Sequence, residues 1–391
     1  MIKKVISLAL TAAVVAASVP MTAFAAISDL PGVEVVSIED IPDILIGNYT
    51  DAKNATGTTA IICTNPDGAV GGVSVLGGSP ATRETDLLDP TKTVQIVNAI
   101  CLTGGSAFGL DAAGGIQQYL EEKGLGVPVG VTNVPIVPAA AIFDLARGED
   151  ASLGSKMVRP GVKEGYAAAK AAFDGEEWTD GNTGGGTGGG AGGMKGGLGT
   201  FCYKYGDLYV GAVVVLNSAG QVVDPETGHI IAGRIDKEKN QFIDREEMIV
   251  STTEAPAYQN TNTTIACIVT NATLTQSEAN KLAEMAHDGY ARAIEPTHTP
   301  SDGDCIFAMA TGGASTPLST WGQQSADMSL LGDLAVNAME RAIVSAAYHA
   351  QSAYGLEGAA TLRAAGTTPS QPDSKLNDSA IDDIILKDSL K

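Results

Sequence analysis

Basic residues, histidines and long apolar segments are scarce in this chain, and each shortage removes a class of function. Lysine and arginine total 24 against 45 aspartates and glutamates, a formal charge of -21. Nucleic acid is excluded as a partner, because neutralising phosphates takes a basic surface and none is visible. The four histidines, His229, His287, His298 and His349, form no His-Glu-x-x-His motif and no i,i+4 pair. Metal-assisted hydrolysis therefore lacks its ligands, and the reading carries no metal and no organic cofactor. The five cysteines, Cys63, Cys101, Cys202, Cys267 and Cys305, are odd in number and without zinc spacing. Cys63, Cys101, Cys202 and Cys267 sit in or beside apolar runs, as small buried hydrophobes do. Beyond the N-terminus no run is long and apolar enough to span a membrane.

What is present begins with a leader. Met1-Ile2-Lys3-Lys4 precedes an apolar stretch from Val5 to Ala17, and Ala23-Phe24-Ala25 offers small residues for cleavage before Ala26. Residues 1–25 are read as a secretory signal, too short and too broken by Pro20 for an anchor, so the mature chain is expected to be exported (extracellular, cell-wall-associated or periplasmic) and off the membrane. The remainder is long enough for one large core.

Thr59–Cys63, a turn at Asn65-Pro66-Asp67-Gly68 and Ala69–Leu76 read as a hairpin. An apolar run from Val94 to Leu102 enters Thr103-Gly104-Gly105-Ser106 and a helix to about Lys123. Phe108 stands where a Gly-x-Ser-x-Gly elbow needs glycine, so Ser106 is not its nucleophile. Gly104, Gly105 and Ser106 are instead candidates for lending backbone N–H groups to a pocket or oxyanion site. A helix over Val162–Phe173 precedes the glycine-rich run Gly181–Thr200. That run fits a flexible linker, but also backbone brought close to a ligand or a strand, since a second hairpin, Thr200 to Asn217, follows at once. The capping box Thr275-Gln276-Ser277-Glu278 opens a helix carrying Leu282, Met285 and Ala286 on one face. A long helix runs from about Ser325 to Ala350, and Thr367-Thr368-Pro369 starts a linker and tail, 367–391. Strands and helices in this order indicate stacked α and β layers.

A polar stretch from about Ile235 to Asn262 runs directly into the β-branched strand Thr263-Thr264-Ile265-Ala266-Cys267-Ile268-Val269-Thr270. A hydroxyl at the first position of a buried strand has a chemical use if the Asn262–Thr263 bond breaks: Thr263 then carries nucleophile and amine base in one residue. Asn217, at a strand end, is a candidate donor to the oxyanion, although a strand-end cap is equally ordinary. Asp302 and Asp304 in Ser301-Asp302-Gly303-Asp304 can orient the new amine, and the same four residues also fit a solvated Asp-Gly turn. Asn217-Ser218 is a rival cleavage point, but Ser218-Ala219-Gly220 reads as a turn and would not begin a strand.

Taken in order, Arg83-Glu84-Thr85-Asp86-Leu87-Leu88, Leu102-Thr103-Gly104-Gly105-Ser106-Ala107-Phe108-Gly109-Leu110, Val134-Pro135-Ile136-Val137-Pro138-Ala139-Ala140, Lys195-Gly196-Gly197-Leu198-Gly199, Asn262-Thr263-Thr264-Ile265 and Asp302-Gly303-Asp304 resemble a known family. It is the self-processing N-terminal-nucleophile peptidases that include the DmpA-type D- and β-aminopeptidases and the nylon-oligomer hydrolase. The resemblance implies an α/β fold, a four-layer αββα sandwich, as a single domain cut into two associated chains, 26–262 and 263–366. It implies Thr263 as nucleophile, Asn217 as oxyanion amide, Asp302 and Asp304 as supporting acids, and a homo-oligomer. Relatives near the nylon-oligomer branch also use a lysine in the glycine-rich segment, where Lys195 is the nearby candidate. The expected activity is hydrolysis of the amide bond of small peptides or amino-acyl amides with a free amine, through an acyl-enzyme. Acyl transfer on the same fold, as in the ornithine acetyltransferases, and an uncut secreted binding protein are the alternatives.

Overall fold

The computed structural model describes residues 27, 31–149, 151, 157–244, 262–314 and 324–372; the leader, residues 245–261 of the polar stretch and the tail from 373 lie outside them. Strands β1 (Val33–Val36), β2 (Ile44–Asp51), β3 (Thr56–Cys63), β4 (Ala69–Val75), β5 (Thr82–Arg83), β6 (Ile96–Val97) and β7 (Ala99–Thr103) lead to helix α1 (Ala112–Glu122). Then come β8 (Ala139–Ala141), α2 (Val162–Asp174), β9 (Leu198–Tyr205), β10 (Leu208–Asn217), β11 (Thr263–Thr270), α3 (Gln276–Ala293), β12 (Cys305–Ala310), α4 (Gln324–Tyr348) and α5 (Ala359–Ala365).

Two sheets carry the frame, one of seven strands in the order β1-β9-β10-β11-β12-β4-β6 and one of five in the order β2-β3-β7-β8-β5. Strands β10 and β11 are apolar on both faces because both are covered. Val210, Ala212, Val214, Ala266 and Ile268 meet α3 and α4 through Leu282, Ala286, Leu334 and Ile343. Val213, Val215, Ile265 and Cys267 point the other way, into a core shared with Ile61, Ile100 and Leu102 of the five-stranded sheet. The outer face of that second sheet, with Ala60, Ile62 and Cys101, is closed by α1 and α2 through Ile116, Ala168 and Ala172. The layers are therefore αββα, as expected. All five cysteines are buried and unpaired.

The hairpin β9–β10 is present, with Tyr205 opposite Leu208 and Gly206 at φ 62° in the two-residue turn. So is the capping box of α3: Thr275 Oγ1 accepts the Glu278 N–H at 3.3 Å and Glu278 Oε2 accepts the Thr275 N–H at 2.8 Å.

The first expected hairpin is not. Its turn closes, with the Gly68 N–H on the Asn65 carbonyl at 2.9 Å. Yet β3 pairs with β2 and β7, whereas β4 pairs with β12 and β6, so the turn passes the chain from one sheet to the other. Asn-Pro-Asp-Gly dictates a reversal, but a strand buried on both faces takes its partners from the layer it joins. The glycine-rich run is no linker either. Residues 184–192 are buried, and a Cβ on Gly186 or Gly189 would stand 2.1 Å from the Leu198 nitrogen or 2.2 Å from the Leu216 oxygen. Residues 367–372 are also anchored: Gln371 Oε1 accepts the Ile230 N–H at 2.7 Å and its Nε2 donates to the Ile230 carbonyl at 3.0 Å.

Helices α1 and α2 touch backbone to backbone, so that a Cβ on Gly115 would lie 1.8 Å from the Val162 oxygen. Alanine gains about 1 kcal/mol of helix propensity there, but forcing the helices apart costs about 1–3 kcal/mol or more. Gly115→Ala is therefore expected to lower the urea midpoint of unfolding.

Candidate active site

Three adjacent strands end together in the seven-stranded sheet. Strand β10 runs antiparallel to β11 with Asn217, its last residue, opposite Thr263, the first residue of β11. Strand β12 runs parallel to β11, pairing Ile265 with Cys305, and the bridge Asn262–Asp302 continues that register, one residue before β11 and three before β12. Side chains alternate along strands, so Asn217 and Thr263 share the face of Val215 and Ile265 between the sheets. Chain topology thus gathers Asn217, Thr263, Asp302 and Asp304 at one sheet end.

Around Thr263 the contacts are close. Its side chain is 5% exposed, and Oγ1 donates to the Asn262 carbonyl oxygen at 2.5 Å. The same oxygen accepts the Gly303 N–H at 3.2 Å. Gly303 must be glycine here, because a Cβ would sit 2.7 Å from Thr263 Oγ1 and 2.9 Å from the Ser79 oxygen.

The Asp302-Gly303-Asp304 turn is buried rather than solvated, with both carboxylates 2% exposed. Asp304 Oδ1 accepts the Thr264 N–H at 2.8 Å, and Oδ2 accepts the His298 N–H and Thr297 Oγ1 at 3.0 Å each and His298 Nδ1 at 2.9 Å. It holds β11 to the preceding loop. Asp302 Oδ2 accepts the Thr299 N–H at 2.9 Å and Thr299 Oγ1 at 2.6 Å, whereas Oδ1 is buried with no hydrogen-bond partner among the described residues. Burial, and secondly the charge of Asp304, raise the Asp302 pKa.

Asn217 is locked in one orientation. Its Oδ1 accepts the Gly190 N–H and Arg147 Nη1, both at 3.0 Å, and Nδ2 donates to the Phe143 carbonyl at 3.3 Å. Two donors on the oxygen fix which edge carries the NH2 group. Arg147 also donates to the Gly188 carbonyl. The sequence reading missed Arg147, since Asp144-Leu145-Ala146-Arg147-Gly148 has the composition of a surface turn; its only sequence signal is a position just after the apolar, proline-stiffened segment.

Lys195 reaches the same neighbourhood, its strand pairing with Gly190. It is fully buried, and Nζ donates to the carbonyls of Gly186 at 3.1 Å and Gly196 at 2.6 Å. Burial first, then Arg147, lower its pKa to about 7. Met194 lines the adjoining cavity and Lys195 does not.

The N–H groups of Gly104, Gly105 and Ser106 are not available as donors to a ligand. They go to the Gly57 carbonyl, Asp144 Oδ1 and the Ile142 carbonyl, each at 2.9 Å. A turn at φ 85° and 54° (Gly105, Ser106) satisfies itself within the five-stranded sheet. Among the described residues no group of three or more His, Cys, Asp and Glu side chains could hold a metal ion.

A family model described as Peptidase family S58 matches residues 26–361. This chain belongs to that family. An uncharacterized aminopeptidase of Mycobacterium tuberculosis is 37% identical over 313 residues, 77% of this chain and 88% of its own length. A 6-aminohexanoate-oligomer endohydrolase of Kocuria sp. is 31% identical over 317 residues, 78% and 84% of the two chains. Among solved structures, a Burkholderia sp. beta-aminopeptidase superposes with TM-score 0.56 at 22% identity, over 87% of this chain and 92% of that one. The L-aminopeptidase D-Ala-esterase/amidase of Ochrobactrum anthropi, described as a variant of the Ntn hydrolase fold, gives 0.54 at 18% identity, over 88% and 94%. The chain is thus a family S58 peptidase, an aminopeptidase or amide hydrolase by family, with a fold similar to that of the Ntn hydrolases.

The raised pKa of Asp302 has a cost. The folded state holds this proton more tightly than the unfolded chain, so the stability it gives is present below the unfolded pKa and lost as pH rises through the folded one. At neutral pH the ionised carboxylate opposes folding. Asp302→Asn is expected to be more stable than the parent in urea at pH 7, with the gain vanishing toward pH 3, and to be impaired in amide hydrolysis. An unchanged pH profile of stability would show that Asp302 titrates normally.

Proposed function

We propose that this S58 chain is an exported amide hydrolase that cuts itself between Asn262 and Thr263 and then uses Thr263 as its nucleophile. One observation carries the reading: the Thr263 hydroxyl lies against the carbonyl of its own preceding peptide bond, and that carbonyl oxygen already accepts the Gly303 N–H. Attack of Oγ1 on the Asn262 carbonyl carbon forms a tetrahedral oxyanion facing a fixed donor. Collapse breaks the C–N bond, the nitrogen takes the proton, and an ester links Asn262 to Thr263. Water then releases the Asn262 carboxylate and the Thr263 amine.

With an ordinary pKa of about 7.7–8.0, that amine is a general base within reach of its own hydroxyl. Asp302 Oδ1, without a partner among the described residues, is the acceptor that orients it. Asp304 fixes the strand through Thr264, and Asn217, its amide held by Arg147 and Gly190, offers Nδ2 to the oxyanion of the substrate. A second cycle attacks an amino-acyl amide, expels its amine, and hydrolyses the resulting ester, with the free amine of a small peptide as the group the acidic side of the site favours. Arg147 supplies positive charge beside Asn217, and Lys195 ties down the glycine-rich backbone. Export rests on residues 1–25.

Intact mass and N-terminal sequencing of purified protein test the reading. Two chains are expected, the smaller starting Thr263-Thr264-Ile265. Thr263→Ala should stay whole and Thr263→Ser should still cut. Asn217→Ala should lose roughly 10²–10³-fold in kcat on amides. A wild-type chain that remains intact on long incubation would remove self-processing.

A further inference from the structure

Beside Asn262 and Ser218, the neighbours of Thr263 and Asn217, lies a cavity of about 380 Å³. Among the described residues its charged lining is Arg147 and Arg234, with no carboxylate. That is unexpected in a chain with a formal charge of -21. Both arginines flank one glycine turn: a Cβ on Gly190 would stand 2.6 Å from Arg147 Nη2, and one on Gly193 3.4 Å from Arg234 Cγ. Only Nη1 of Arg147 has hydrogen-bond partners among the described residues. Arg234 is exposed there and makes no ion pair among the described residues. Asp144, whose charge acts on Arg147, also accepts Thr56 Oγ1 at 2.6 Å and the Gly105 N–H at 2.9 Å.

The cavity also has a side. Asn262 lines it, and Asn262 supplies the carbonyl that Thr263 Oγ1 touches, so in the precursor this residue stands where the acyl half of a substrate would stand. Two guanidinium groups on that side form a charge-assisted site for a carboxylate.

Resting on the hydrolase reading above, we infer that the acyl group transferred to Thr263 carries a carboxylate, held between Arg147 and Arg234, so that the preferred substrates are acidic amino-acyl amides. Among the described residues of the intact chain no lining acid competes for the arginines, and an entering anion compensates their charge. A basic acyl group meets like charge and is rejected. The glycine backbone leaves the room that side chains would fill.

The test compares glutamyl and glutaminyl p-nitroanilides, in L and D form, on self-cleaved wild type and on Arg234→Glu. Self-cleavage at Asn262–Thr263 reports that each protein has folded. Wild type should favour the glutamyl compound by about tenfold or more in kcat/KM, and Arg234→Glu should erase or invert that preference. Calorimetric titration with glutarate runs beside it, with binding expected to wild type and not to Arg234→Glu. Turnover of both anilides without preference, or a preference that Arg234→Glu leaves intact, overturns the carboxylate site while leaving the hydrolase reading in place. Failure of glutarate to bind the cleaved wild type also overturns it, as when the released Asn262 carboxylate keeps the arginines occupied. Glutarate binding with no turnover of either anilide overturns the assignment of the carboxylate to the acyl group.

Discussion

Everything at this site hangs on the register of β11 between its two neighbours. Thr263 faces Asn217 across one ladder, and the other ladder sets Asn262 beside Asp302. A slip of one residue in either would turn the hydroxyl to the helix side and bring Thr264 to the core. The register is held by the apolar alternation of the strand, whose two faces meet different layers. Asp304 pins it a second time at Thr264. Packing over the whole strand thus positions one hydroxyl at its end.

The glycine-rich backbone plays the complementary part. Segments on both sides of the pair Gly190–Ala191 and Met194–Lys195 run against the end of β10, where a Cβ on Gly189 or Gly196 would come within 2.2 or 2.3 Å of the Leu216 oxygen. Close approach lets the Gly190 N–H reach Asn217. It also leaves space that arginine side chains occupy from the outside. Glycines here exchange side-chain volume for backbone donors and for room at the site.

Much of this was legible in the chain itself. A β-branched run beginning with two threonines after a polar stretch announced β11 and its first residue, and the turn Gly206-Asp207 announced the β9–β10 ladder. Asp302 and Asp304 were equivalent in sequence, and only three-dimensional contacts separate a saturated carboxylate from one with an oxygen unpartnered among the described residues. Pairing across layers was not legible, because β3 and β4 have turn chemistry between them but belong to different sheets. Arg147 and the Gly303 N–H escaped for the same reason: one lies in an ordinary-looking loop, the other is backbone, and both acquire meaning from a neighbour distant in sequence. Gly104, Gly105 and Ser106 drew attention through their glycines, whose conformational freedom serves a turn that uses its own donors.

The placing of β11 near the middle of the seven-stranded sheet has a further consequence for a cut chain. The strand is bonded along both edges, so a break just before it severs no ladder, and the two pieces have no way to part short of dismantling the sheet. Assembly of that sheet is an intramolecular event only while the chain is whole. Once divided, the fragments would have to find each other in solution, so recovery after denaturation becomes second order in protein. The finished molecule would then persist by the slowness of its unfolding rather than by its ability to fold again.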